Sequence, residues 1–369
     1  MNQLFRWDQM GLFLLALAAG ILPFAVPEVC AAALREGLTL CSGPLLLSLF
    51  PFLVVSRLLI QCPESDLLAL PFRLAAWGIG IRTPCAARVL CIGFLGGFAP
   101  SASAAAQAVR TGQLTAEEAD ALLPACICSG PSFVVLTVGQ SLLGSAELGV
   151  LLFASQITAN YLTAALLNRF AGVRSVKLGS AAPASPAPPR LDEILADAAI
   201  TYCKLCGFIL FFRMLAAGAG ALLPAGAGTL CAILLEVCSG CDLASRTGRW
   251  GSLLCCAALS VQGLSVLLQV RTICPPEMTL RPLYRSRLLH LPLSLALFYL
   301  LLPGGEADVF STLPARVLLM RRVPPDCALL VFAVCCMAAC TLRSGIRQVE
   351  QKQMARNAGG CCINSKTLL

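Results

Sequence analysis

Charge is what this sequence has least of. Asp, Glu, Lys and Arg together make up 12% of its 369 residues, and histidine occurs once, as His290. Soluble domains carry about 25% charged residues, so an ordinary water-soluble fold is excluded. Long polar stretches are missing too: the longest run to about twenty to thirty residues on a simple hydropathy reading, which leaves no room for a soluble catalytic domain. No Ser-His-Asp arrangement, glycine-rich phosphate loop or paired acid and base is recognisable, and an enzyme is not expected. A single histidine leaves Cys203-x-x-Cys206 and Cys238-x-x-Cys241 without the partners of a usual zinc framework. Neither a metal nor a cofactor is expected.

What is abundant is apolar. Hydrophobic residues reach 58% and the mean hydropathy is +0.82, which defines a polytopic membrane protein of all-α class. At about 20 apolar residues per helical span, the chain accommodates about eight to ten hydrophobic segments, several of them short or broken. Most of the 21 cysteines, such as Cys255-Cys256 and Cys335-Cys336, lie inside apolar runs and act there as small hydrophobes. The 27 basic residues exceed the 19 acidic ones by eight, but the excess sits in loops and at the C-terminus, so nucleic acid is not an expected partner. Arg169, Arg174, Lys177 and Arg190, then Arg271, Arg281, Arg285 and Arg287, then Arg343, Arg347, Lys352 and Arg356 read as cytoplasmic loops under the positive-inside rule. The acidic turn Gly304 to Asp308 is expected on the other side.

One membrane-embedded pattern occurs twice. Phe50-Pro-Phe-Leu-Val-Val-Ser-Arg57, Gly93-Phe-Leu-Gly-Gly97 and Cys128-Ser129-Gly130-Pro131-Ser132 are followed in the same order by Gly207-Phe-Ile-Leu-Phe-Phe-Arg213, Glu236-Val-Cys-Ser-Gly240 and Leu259-Ser260-Val-Gln262-Gly263. The offset falls from 156 (Arg57 to Arg213) to 143 (Gly97 to Gly240) to 131 (Ser129 to Ser260). Gly-interrupted hydrophobic segments at corresponding places in two halves mark a transporter-like core with its site where the halves meet. The expected organisation is an N-terminal helix in 1–37, retained rather than cleaved, a first membrane repeat in 38–171, an Ala/Pro/Ser-rich linker in 172–193, a second repeat in 194–302, C-terminal membrane segments in 303–342 and a basic tail in 343–369. Within the first repeat, Leu67 to Ile81 reads as a short interfacial segment. Thr115 and Glu118 form a capping box. If every segment of the second repeat crossed fully, the basic loops Arg246-Arg249 and Arg271-Arg287 would fall on opposite sides. A segment near Ser239 or Gln262 is therefore expected to turn back inside the membrane, which is tolerated only where broken backbone is buried in protein or lines a wet cavity.

The breaks are the candidate binding site. At Gly96-Gly97, Ser129-Gly130-Pro131-Ser132, Ser239-Gly240 and Ser260-Val-Gln262-Gly263, interrupted helix frees amides and carbonyls for a polar ligand, and half-helix N-termini favour electron-rich groups. Close packing of small residues is the competing account. Glu236 is the only carboxylate in its apolar run; it either meets a ligand or proton, or forms an ion pair with Arg213 or Arg57, or bonds to freed backbone. Gln156 and Asn160, one turn apart, suit interhelical hydrogen bonds. Arg57 and Arg213 are expected to snorkel, and His290 to lie at the interface.

These motifs, with Arg110-Thr-Gly-Gln-Leu-Thr-Ala-Glu-Glu-Ala and Cys128-Ser-Gly-Pro-Ser-Phe-Val-Val-Leu-Thr-Val-Gly139, resemble the sporulation integral membrane protein family called YlbJ. That family carries the nucleoside-recognition, or Gate, domain also found in spore maturation proteins and ferrous-iron transporters. The resemblance runs from about Leu38 to Leu302. It implies a membrane protein of an endospore-forming bacterium with a transporter-like duplicated core and a part in building the spore cortex, but supplies no substrate; the reading drawn from it and the repeat is two inverted halves that move a small polar solute in the mother-cell or forespore membrane. A scaffold that recruits sporulation partners is the alternative, and the expected partners are membrane lipid, the solute, a second copy of the chain or other sporulation membrane proteins. The first copy departs from the family pattern: Phe98-Ala99-Pro100 stands where Tyr-Pro is usual, and Cys126-Ile-Cys128-Ser129 replaces asparagines. Those losses weaken a nucleoside site in the first copy.

Overall fold

The computed structural model describes residues 2–61, 65–171 and 191–302. Every regular element among them is a helix. α1 (Asn2–Ala25), α2 (Pro27–Ser42) and α3 (Pro44–Gln61) follow one another with single-residue joints at Val26 and Gly43. Pro27 and Pro44 open the second and third helices, where a missing N–H costs nothing. The expected boundary at residue 38 therefore falls inside α2. In place of the Leu67 to Ile81 segment stand two short helices, α4 (Ser65–Leu68) and α5 (Leu70–Gly78), with Leu70, Leu74 and Trp77 exposed.

α6 (Pro84–Gly96) and α7 (Phe98–Arg110) are separated by Gly97 alone, at φ +79° and ψ −160°. The chain reverses there: Arg88, near the start of α6, donates from Nη2 to Oε1 of Gln113, just past α7, at 3.0 Å. The pair is a helical hairpin with Gly97 at its tip. α8 (Ala116–Cys126) begins with the expected capping box, in which Thr115 Oγ1 accepts from the Glu118 amide and Glu118 bonds back to the Thr115 amide. α8 carries Pro124 inside its last turn, and the chain passes through 127–130 without helical structure into a π-helix, Ser132–Leu142. α9 (Ala146–Ala171) returns, with Gly149 lying backbone to backbone against Gly139 of the π-helix.

The second half repeats this order. α10 (Leu191–Leu222) starts inside the stretch expected to be linker; residues 172–190 lie outside the described residues. α11 (Ala225–Leu235) and α12 (Val237–Ser245) form a second hairpin, in which a Cβ on Gly240 would come 2.8 Å from the Ile233 Cα. α13 (Gly251–Val261) and α14 (Gly263–Ile273) are one span broken at Gln262, and α15 (Arg281–Leu301) closes the set. Long helix, hairpin, broken helix and long helix thus occur twice, as α3 to α9 and as α10 to α15. The expected C-terminal segments (303–342), tail (343–369) and acidic turn lie outside the described residues.

Four helical stretches are long and apolar enough to cross a membrane, Pro27–Leu47, Ala146–Ala171, Leu191–Leu222 and Gly248–Ile273. In the second half the chain reverses at Glu236, between α11 and α12. The two basic loops that the expected turn back was meant to reconcile nevertheless remain apart, because Arg249 and Arg271 flank opposite ends of α13 and α14. Small side chains let these helices approach: Ala86, Ala102, Ala104, Ala105 and Ala258 are fully buried, and Cys126, Cys128, Cys241, Cys255 and Cys256 fill the same interior as free thiols.

Candidate functional site

The breaks meet, and their glycines are already filled. A Cβ on Gly97 would lie 2.7 Å from the Gly130 amide nitrogen, and one on Gly130 would touch Gly96, so the first hairpin tip rests backbone to backbone on the break after α8. In the second half a Cβ on Gly263 would lie 3.0 Å from the Glu236 nitrogen. Gln262 and Gly263 are both left-handed, at φ 66° and φ 72°. Glycine accepts that conformation without strain, whereas Gln262 does not. Packing by small residues, the competing account, describes Gly96, Gly97, Gly130 and Gly263 in this arrangement.

Two breaks sit elsewhere than expected. Ser239 and Gly240 are inside α12, and the interruption is at Glu236, whose backbone is extended at φ −151° and ψ 126°. The cause is local: Glu236 is the N-cap of α12, its carboxylate accepting from the Cys238 and Ser239 amides at 2.8 and 2.7 Å and from Ser239 Oγ at 2.9 Å. A carboxylate there satisfies orphan N–H groups and faces the positive end of the helix dipole. Glu236 is 2% exposed. Ser260 likewise belongs to α13, two residues ahead of the break. Pro131 caps the π-helix and Ser132 opens it, both half-buried.

The halves touch where Gln262 Nε2 reaches Ser129 Oγ at 3.5 Å. Around that contact, α9 and α15 supply polar groups. Gln156 Nε2 donates to the Cys256 carbonyl at 3.2 Å and to Ser260 Oγ at 3.0 Å, and Asn160 Nδ2 donates at 3.3 Å to the Ile127 carbonyl, which lies in the break itself. These are the interhelical bonds expected of the pair. Arg287 donates from Nη2 to Asn160 Oδ1 at 3.1 Å and from Nη1 to the Ser260 carbonyl at 3.5 Å. It is 8% exposed, and among the described residues no carboxylate lies within ion-pair distance. A buried cation whose acceptors are all neutral is an unusual arrangement, since buried charges are ordinarily paired. Beside it, Gln262 Oε1 and His290 Nδ1 are buried without a hydrogen-bond partner.

Three expectations are corrected here. Arg287 is not in a basic loop: α15 starts at Arg281 and buries Leu283, Ser286, Arg287, His290 and Ser294 on one face. His290 is not interfacial but fully buried, with Nε2 3.2 Å from the Gln156 carbonyl. Arg57 and Arg213 do not snorkel. Arg57, 9% exposed, pairs with Asp197 of α10, and Arg213 pairs with Glu36 of α2 at 2.7 Å, so among the described residues neither forms a direct ion pair with Glu236. The spacing of Arg287, His290 and Ser294, three and then four residues apart, was the available signal for one buried helix face.

Comparison with known proteins gives no match: no family model, no curated protein and no solved structure matches the chain.

Proposed function

We propose that this chain is the core of a membrane transporter for a small polar solute that carries negative charge, held here with its two helix breaks closed on each other. The observation that carries the reading is Arg287, a buried cation without a carboxylate partner among the described residues, placed where the breaks of both halves converge. Half-helix N-termini at Gly97 and Gln262 add the same sign of potential, whereas that of α12 is already capped by the Glu236 carboxylate. Solute would engage Arg287, Gln262 and Ser129 when the two halves, each hairpin moving with its own broken helix, part at the Gln262 to Ser129 contact.

The halves are proposed to be inverted. Asp120, at the start of α8, accepts from Thr279 and Leu280 between α14 and α15, so those ends lie at one face with the open end of the first hairpin. Following the chain from that face through the π-helix, α9 and α10 brings the second hairpin in from the opposite face. The first face gathers Arg57, Arg88, Arg110, Lys204 and Arg271, and the positive-inside rule supports a cytoplasmic side for it. The sporulation role and a solute for cortex formation rest on the family resemblance. A non-transporting scaffold is the second reading, favoured by the filled glycines at the tips.

Purified protein in sealed vesicles should accumulate labelled small anions, with phosphate, nucleoside monophosphates and short carboxylates as the panel, and Arg287→Gln should abolish uptake while still inserting. No uptake of any of these, or unchanged uptake by the variant, would reject the reading.

A further inference from the structure

A second polar feature lies away from the breaks, at the end of the molecule where α3, α7, α10 and α14 converge. A cavity of about 160 Å³ opens there between the two halves. Its lining includes Arg57, Arg110 and Lys204 against a single carboxylate, Asp197, with the hydroxyls of Ser103 and Thr201. Arg57 forms the inner wall. It is 9% exposed, and its Nε is buried without a hydrogen-bond partner, although Nη1 is held by Asp197. Arg110 and Lys204 are exposed at the rim, and among the described residues neither has a carboxylate within ion-pair distance.

Three cations from three helices, converging on one opening with one carboxylate between them, leave an excess of positive charge in a confined space. Like charges so placed repel unless a counter-ion sits among them. At about 160 Å³ the cavity has room for a phosphate group with residual hydration. Arginine presents a planar fork to phosphate oxygens, and lysine adds a point charge.

We propose that this cavity is a binding site for a phosphate group, lined by Arg57, Arg110 and Lys204 at the junction of the two halves. Asp197 is the internal competitor. Its carboxylate, on α10 of the second half, holds Arg57, on α3 of the first half, when the site is empty, and a bound phosphate shares Arg57 with it. The site is separate from Arg287 and stands whether or not the protein transports. Either a lipid headgroup, which reaches the same face from the bilayer, or a free phosphate can provide the group.

The test uses the full chain purified in detergent, with inorganic phosphate titrated against chloride at matched ionic strength, and in parallel nanodiscs of phosphatidylglycerol or phosphatidylcholine in which retained lipid is measured by mass spectrometry. The variant is the exposed pair Arg110→Gln with Lys204→Gln, whose unfolding temperature without phosphate reports that it folds. Saturable stabilisation by inorganic phosphate that weakens by about tenfold per cation removed assigns a soluble phosphate. Selective retention of phosphatidylglycerol that the paired variant loses assigns the headgroup. If neither ligand binds, or if the paired variant binds both as the wild type does, the proposal is overturned. Arg57→Lys, which keeps the charge but loses the fork, is expected to fall between the two.

Discussion

Arg287 Nη2 lies 3.1 Å from Oδ1 of Asn160, and this amide, rather than a carboxylate, is the closest polar side chain on a neighbouring helix to a cation that is 92% buried. The pair joins α15 to α9 directly behind the broken stretch 127–130. Removing a buried charge that has no counter-charge relieves its desolvation, against a cost of about 1–3 kcal/mol for the Asn160 acceptor left unpaired. Arg287→Met is therefore expected to raise or preserve the unfolding temperature while removing any protection by anionic solute. A large loss of stability in the variant, measured by thermal unfolding in detergent, would mean that Arg287 is a structural group.

Glycines at the tips differ in a way that can be graded. Gly97 and Gly263 combine positive φ with backbone at 3.0 Å or less from a new Cβ, whereas Gly144 has φ +74° and open space around it. Gly144→Ala should cost about 1 kcal/mol from conformation alone. Gly97→Ala and Gly263→Ala should cost about 2–4 kcal/mol, since overpacking adds to the strain. Equal losses at all three positions would contradict the close packing of the breaks.

Glu236 is expected to behave first as a helix cap. Glu236→Ala removes acceptors from two amides and the Ser239 hydroxyl, and should cost about 1–3 kcal/mol. Glu236→Gln retains one oxygen and should lose less. If Glu236→Gln abolishes uptake at full stability, the carboxylate also serves solute or proton.

Sidedness is open to direct measurement. Epitopes inserted at Gly112 and at Glu277 should report the cytoplasm, and those at Gly144 and Gly248 the opposite compartment. All four reporting one side would overturn the inverted arrangement.

Local chemistry was readable where it was self-contained. Thr115 and Glu118 could be recognised as a capping box because both partners are three residues apart, and Gly97 and Gln262-Gly263 as breaks because glycine interrupts an apolar run. Glu236 was harder. A lone carboxylate in hydrophobic sequence looks like an intrusion into a helix, whereas here it begins one, so the first break pairs Gly97 with Glu236 and not with Gly240. Arg287 was misplaced because charge clustering cannot separate a loop arginine from one six residues into a helix; the spacing to His290 and Ser294 can. The π-helix at Ser132–Leu142 had no signal of its own, since its wider hydrogen bonding leaves no distinct hydrophobic period.

The contrast between the two kinds of junction has a mechanical consequence. Within each half, hairpin tip and broken helix are locked by main-chain contact, at Gly97 with Gly130 and at Gly263 with Glu236, while between the broken helices the described contact is a side-chain one, the 3.5 Å bond from Gln262 to Ser129. Prying a tip loose would separate backbone from backbone, so each hairpin should ride with its own interrupted span as one rigid block.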